Sequence, residues 1–202
     1  MNTKTLIIIL SCLILAVVAQ AAPDLTETIK NLNTAYRGES NAHQRYATFA
    51  KKADEEGFPQ VAKLFRAASQ SEQIHRDAHK AAIEKLGGVA EQVTLDEVKV
   101  GTTRENLEAA IKGESYERDT MYPEFLKKAQ ADKAEPAVRT FHFAKEVEAG
   151  HAKLYQEALD NLGKNIPTDY FVCTVCGNTV TVLPSKKCPV CHNKRDKYVK
   201  IT

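Results

Sequence analysis

The chain has 202 residues, with 28 basic and 26 acidic side chains and a formal net charge of +2. That length carries one main domain and a small appendage, and that balance gives no bulk electrostatic reason to expect nucleic acid or an anionic membrane as a partner. The charge is uneven, however: from Pro167 onward six basic residues stand against two acidic ones, which leaves +4 on the tail and −2 on the rest.

Met1–Thr5 is short and carries one side-chain cation, Lys4; Leu6–Ala19 is apolar apart from Ser11 and Cys12, and Ala19-Gln20-Ala21 follows. These are the n-region, h-region and small-residue cleavage site of a secretory signal. The apolar run is 14 residues, short of the ~20 that a membrane-spanning helix needs. The expectation is a signal peptide over 1–21, removed after Ala21, and an exported chain, periplasmic in a bacterium, with no stable membrane span once the signal is gone. An uncleaved anchor is the alternative; lipid modification at Cys12 fits poorly, because most of the apolar run follows that cysteine.

From Asp24 the pattern turns helical. Asp24-Leu-Thr-Glu27 and Thr102-Thr-Arg-Glu105 both read as capping boxes, in which the cap side chain and the glutamate three residues on satisfy each other's backbone N–H. Gly57-Phe58-Pro59, Gly87-Gly88 and Glu135-Pro136 punctuate the chain, so helices are expected at about 25–55, 59–86, 103–132 and 135–162. The stretch 87–102 is a long crossover. Two antiparallel hairpins joined by one long connection describe a ferritin-like four-helix bundle over 22–166.

Steps of three and four trace the inward stripe of each helix. It runs through Leu32, Tyr36, Glu39, His43 and Tyr46, then Phe65, Ala68, Glu72, His75 and His79, then Ile111, Glu114, Glu117 and Met121, then Phe141, Lys145, Glu148, His151 and Tyr155. Acids therefore fall where apolar residues belong, and they repeat. Arg37-Gly38-Glu39-Ser40 is followed by Glu72-Gln-Ile-His75, and Lys112-Gly113-Glu114-Ser115 by Glu148-Ala-Gly-His151; the glutamate separations are 33 and 34 residues. An unpaired buried carboxylate costs several kcal/mol even after relaxation. Two divalent metals would offset five of them almost completely. Residues three apart on a helix point the same way, so each ExxH turn offers two ligands. One glutamate from each of two helices plus ExxH from each of the other two is a carboxylate-bridged dimetal pattern, and mixed carboxylate–imidazole donors suit iron or manganese. His43 and His79 lie beside these ligands and read as core or supporting histidines; His142 reads as a surface residue.

Pro167 ends the bundle and opens a segment, 167–202, with two CxxC knuckles, Cys173/Cys176 and Cys188/Cys191. Four thiolates at this range make a tetrahedral site for zinc or a single iron. Tyr170, Phe171, Val172, Val180, Val182, Tyr198 and Ile201 suggest short strands around it. So short a domain buries too little core to fold alone, so the metal holds it together; a pair of disulfides is the alternative that an exported location raises.

Taken together these residues resemble rubrerythrins from Asp24 to the C-terminus: Gly-Glu in helix one, ExxH in helix two, Gly113-Glu114-Ser-Tyr-Glu117 in helix three, ExxH in helix four, then a rubredoxin-like knuckle pair. The resemblance implies an all-α ferritin-like bundle followed by a small β-rich metal domain. It implies that Glu39, Glu72 and His75 serve one iron and Glu114, Glu148 and His151 the other, with Glu72 and Glu148 bridging. Glu117 is the additional carboxylate that one iron exchanges for His75 on reduction, and Tyr46 and Tyr122 hydrogen-bond near the site. Cys173, Cys176, Cys188 and Cys191 hold an iron that passes electrons to the di-iron pair, commonly across a head-to-tail homodimer. The implied activity is a hydrogen peroxide reductase acting in oxidative-stress defence, fed by an unidentified electron-donor protein. An iron-oxidising ferritin-like protein without peroxidase turnover is the main alternative; a sensor with a zinc-bound tail is another. The chain departs from the pattern in its leader, in lacking tryptophan and in placing His192 where a knuckle often has a small residue.

Overall fold

The computed structural model describes residues 24–202; the leader expected over 1–21 lies outside the described residues. The chain folds as a ferritin-like helical bundle followed by a small β region carrying the four cysteines. Helices α1 (Thr26–Glu55) and α2 (Pro59–Lys85) form the first hairpin. Helices α3 (Thr103–Tyr116), α4 (Tyr122–Ala131) and α5 (Glu135–Asp160) form the second. None of the described helices is long and apolar enough to cross a membrane.

The two capping boxes fare differently. At Thr102 both reciprocal bonds form: Glu105 N donates to Thr102 Oγ1 (3.3 Å) and Thr102 N donates to Glu105 Oε2 (2.7 Å). At Asp24 the expected box is absent. The helix starts one residue late, with Leu25 at the N-cap, so Glu27 sits too early in the first turn to reach back and pairs with Lys30 instead. Asp24 still accepts from Thr26 N at 3.0 Å.

The third bundle helix is not continuous, as its periodicity suggests, but broken by a π-helical turn, Glu117–Met121, between α3 and α4. The crossover 87–102 has no regular structure. It is pinned to α1, where Asn33 Oδ1 accepts from Glu91 N (2.9 Å) and Asn41 Oδ1 from Asp96 N (2.8 Å).

The apolar core is divided in two. One cluster gathers Tyr46, Phe49, Leu64, Phe65, Leu107 and Tyr155; the other gathers Leu32, Ile83, Tyr122 and Phe141. Each long helix passes from one cluster to the other, and at the crossing point it carries a buried acid: Glu39, Glu72, Glu114 or Glu148. Antiparallel packing brings these crossings to one level, which makes a polar layer through the middle of the bundle.

After α5 the chain forms strands β1 (Tyr170–Cys173), β2 (Thr179–Val180) and β3 (Tyr198–Ile201), an antiparallel sheet in the order β2-β1-β3. The sheet docks on α2 of the same chain. Gln60 donates to Thr168 O and accepts from Thr168 N, both at 2.9 Å, Asp169 pairs with Lys63 and Lys200, and Arg66 Nε reaches Thr202 O at 3.0 Å. Tyr170 and Val172 join the first apolar cluster.

Candidate metal centres

Among the described residues three sets of ligand atoms come within 4.8 Å of one another: Glu39, Glu72, His75 and Glu148; Glu72, Glu114, Glu148 and His151; and Cys173, Cys176, Cys188 and Cys191. Glu72 and Glu148 belong to both of the first two sets, so they stand between two metal positions. All six residues of the layer are at most 2% exposed.

Several of these buried donors lack protein partners. Among the described residues Glu39 Oε2 and Glu114 Oε2 have no hydrogen-bond partner, and each oxygen of Glu148 meets only a histidine Nδ1, at 2.9 Å. Orphaned buried carboxylate oxygens are costly, and bound cations are what this arrangement fits. The crowding of these carboxyls displaces their protonation. Glu39 and Glu114 are held well above the usual carboxylate range, by burial first and then by their acidic neighbours. At Glu72 burial works in the same direction but is outweighed by hydrogen bonds from His151 and His75, and its pKa falls. His151 is raised to about 9: burial opposes its charge, and the hydrogen bonds and charges of Glu148 and Glu72 prevail.

The histidine tautomers are set by the four-cysteine domain. His75 Nε2 lies 3.1 Å from the Cys176 carbonyl, which can only accept, so Nε2 carries a proton and Nδ1, which faces the carboxylates, is the nitrogen left to share a second proton with them or to bind a metal. His151 Nε2 lies 3.0 Å from Thr179 Oγ1, whose own proton goes to Gly177 O at 3.1 Å. This too keeps a proton on Nε2 and leaves Nδ1 as the nitrogen that meets the layer. Such outer partners fix ring orientation and basicity in metal sites. They come from a segment far away in sequence, so nothing in the ExxH motifs announces them.

Two tyrosines brace the layer. Tyr46 donates to Glu114 Oε1 at 2.5 Å and Tyr122 donates to Glu39 Oε1. They are related by the repeat, but unequally: Glu39 to Tyr46 is seven residues and Glu114 to Tyr122 is eight, while both tyrosines precede the next ExxH glutamate by 26. The extra residue is absorbed in the π turn, which bonds i to i+5. It also accounts for the separations of 33 and 34. Plain α-periodicity points Met121 inward; the π turn turns the Tyr122 ring into the core as well, where it is 0% exposed.

Glu117 opens the π turn and stands outside both ligand sets. It is half-buried, and its carboxyl is pushed up to about 8 by burial, then by the charges of Glu148 and Glu72. His43 bonds to Ser69 O at 2.7 Å and holds no place in the layer. His79 is buried and makes its bonds to Tyr122 and Thr140. His142 is exposed.

The four cysteines are all free, with Cys173 and Cys191 sulfurs 3.7 Å apart and Cys176 and Cys188 sulfurs 3.6 Å apart. Those are not disulfide distances. They match the ~3.8 Å edge of a tetrahedron with ~2.3 Å metal–sulfur bonds. Cys173 is drawn down to about 5, first by the hydrogen bond from Cys176. The knuckles are built alike: Gly177 N donates to Cys173 O and His192 N to Cys188 O, and both residues have positive φ, +78° and +58°. His192 thus occupies a left-handed position that glycine fills in the first knuckle.

The rubrerythrin family profile matches residues 30–159. The chain belongs to the rubrerythrin family. It is 36% identical to rubrerythrin-2 of Clostridium acetobutylicum over 172 residues, which covers 83% of this chain and 92% of that one. It is 33% identical to nigerythrin of Nitratidesulfovibrio vulgaris over 181 residues, 90% of each. A structure of nigerythrin in a mixed-valence state superposes with a TM-score of 0.79 at 32% identity, over 91% of this chain and 90% of that one. A structure of Rhodobacter capsulatus bacterioferritin superposes with a TM-score of 0.63 at 25% identity, over 68% of this chain and 86% of that one. As a rubrerythrin, the chain has its di-iron site in the carboxylate–histidine layer and an iron–thiolate site at the four cysteines.

Proposed function

We propose that this rubrerythrin is a non-haem di-iron peroxidase: hydrogen peroxide, two electrons and two protons give two waters. The observation that carries the reading is the direct contact between the two centres. The Cys176 carbonyl accepts from His75, whose other nitrogen faces the carboxylate layer. One imidazole and one hydrogen bond join an electron-entry site to the reacting site, and an iron store has no need of such a link. When bound, ferrous iron in the layer supplies electrons and Lewis acidity to a split O–O bond.

The residues of this chain do the rest. Glu72 and Glu148 hold both metal positions at a fixed spacing. Tyr46 and Tyr122 orient Glu114 and Glu39. Glu117, outside the ligand sets and close to its protonated form, is a carboxylate in reserve. With iron bound, the added positive charge of the oxidised state would favour it as an anionic ligand over neutral His75. Where the family resemblance implies electron transfer between two subunits, this contact lies within one chain, so a homodimer is compatible with the route but not required by it. The electron donor is a separate redox protein.

The test is anaerobic iron reconstitution of residues 22–202, followed by rapid mixing with hydrogen peroxide or dioxygen. About three irons per chain are expected, one for each ligand set, and faster oxidation by peroxide. Many irons per chain, or no preference for peroxide, would instead favour the iron-oxidising ferritin-like reading. Glu117→Ala is expected to slow turnover on the order of ten-fold or more with little loss of iron; equal loss of both counts against the exchange role.

We further propose export to a bacterial periplasm, on the strength of the charged, apolar and small-residue segments over 1–21. The N-terminus of protein isolated from its native cells should then read Ala22-Pro23; a retained Met1 rejects the cleavage.

A further inference from the structure

We propose that His79 and Thr140 are positioning residues that hold the Tyr122 hydroxyl proton on Glu39, and so set the donor strength of that ligand in one half of the dimetal site only. The proposal rests on the reading above for a metal at Glu39, and it gives a role to two residues, His79 and Thr140, that the peroxidase reading leaves unused.

The argument is one of donors and acceptors. A metal-bound Glu39 carboxylate can only accept, whereas the single proton of Tyr122 could go to it or to His79 Nε2, 3.1 Å from the tyrosine oxygen. The Thr140 hydroxyl, 3.1 Å from Nδ1, decides between them: donating there, it leaves Nδ1 an acceptor and the imidazole proton on Nε2, so the tyrosine oxygen accepts from His79 and its own proton is held on Glu39. Every donor in the chain Thr140–His79–Tyr122–Glu39 points the same way, toward the metal site. The ring of His79 has no freedom to do otherwise: it is 0% exposed and packed 5.9 Å from Tyr122 and 5.5 Å from Phe141. Although Nε2 comes within 3.8 Å of Glu39 Oε1, both nitrogens are already engaged, so His79 is not a fifth ligand.

The other half of the repeat serves as an internal control. Four residues after His75 stands His79, and four after His151 stands Tyr155; eight before Glu148 stands Thr140, and eight before Glu72 stands Leu64. Tyr155 has no partner for its hydroxyl among the described residues, and Leu64 has none to offer. Tyr46 is instead covered by Arg45, whose guanidinium sits 5.3 Å above the ring. Among the described residues the oriented chain exists only at the metal position that also has His75. A hydrogen bond held on a ligand carboxylate draws charge from it, and so favours the less positive state of the metal behind it.

The experiment uses the full chain labelled with 15N-histidine and loaded with zinc, which is diamagnetic. His79 is expected to be protonated at Nε2 and bare at Nδ1. In Thr140→Val the orienting donor is lost without loss of volume; the His79 tautomers should mix, and the reduction potential of the iron-loaded pair should move to more negative values. Thr140→Ser should restore both. A proton on Nδ1 in the unsubstituted chain overturns the proposal, and so does a Thr140→Val chain with tautomer and potential unchanged. The tautomer readout needs neither iron nor peroxide, so it stands or falls separately from the peroxidase reading.

Discussion

At Gly177 the backbone runs at φ +78°, and an added Cβ would lie 2.4 Å from Ser71 Oγ and 2.6 Å from His75 Nε2. Two demands meet on one residue: the first knuckle needs a left-handed conformation, and the docked domain needs its backbone against the ligand histidine. Ser71 completes the contact by donating to Gly177 O at 2.9 Å. Gly177→Ala changes no metal ligand, so both sites should still load. The strain of ~1–3 kcal/mol should lift the domain from α2 and break the Cys176–His75 bond. Electron transfer from the reduced thiolate iron to the layer, followed in a single turnover, is then expected to slow on the order of ten-fold. Transfer at the unsubstituted rate would show that this contact is not the route.

At the scale of elements, the π turn decides which side chains the third bundle helix presents. It lets one helix carry Glu114, Glu117 and Tyr122 toward the site with one residue more than its repeat partner uses between Glu39 and Tyr46. Deleting the exposed Thr120 should convert the turn to regular α-helix and equalise the two halves. The bundle should fold, because the segments on either side keep their own apolar contacts. Either Glu117 or Tyr122 must then rotate by ~100° relative to the layer. Loss of a brace of this kind is expected to weaken metal binding by ~10–100-fold, measured by metal titration. Wild-type affinity in the deletion would mean that the turn is incidental.

For the whole molecule, the buried layer makes stability depend on pH and metal together. Glu117, raised to about 8 in the folded chain from an ordinary 4.5, keeps a proton that the unfolded chain gives up. His151, raised to about 9 from 6.5, does the same over a higher range. In both cases the folded state holds more protons, so their contribution is complete at low pH and is lost as pH rises through the folded values. The metal-free chain should therefore melt at a lower temperature at pH 9 than at pH 6, by roughly 3 °C or more. Metal should remove that dependence, because cations replace the protons; thermal melts with and without iron or zinc check it, and a metal-free chain that gains stability toward pH 9 would contradict it. The four-cysteine domain has its own small core of Cys173, Cys176 and Cys188, with Phe143 of α5 and Tyr198 packed against it, so part of its burial comes from the bundle it docks on.

The sequence alone determined the bundle, its long crossover and the identity of the donors. Helical periodicity is local, and acids on an apolar stripe stand out against it; two CxxC pairs are equally local. Periodicity could not show the π turn, because an added residue leaves no mark except a count of 34 against 33. Nor could it place Glu117 outside the ligand sets, or give His79 its partners, which lie 43 and 61 residues away. The docking of the tail was wholly a matter of tertiary structure. The proton positions on His75 and His151 follow from a carbonyl and a hydroxyl 101 and 28 residues further along the chain. A motif names the atoms that can bind metal. The direction in which each points is set by whatever packs behind it, and that is decided only when the chain folds.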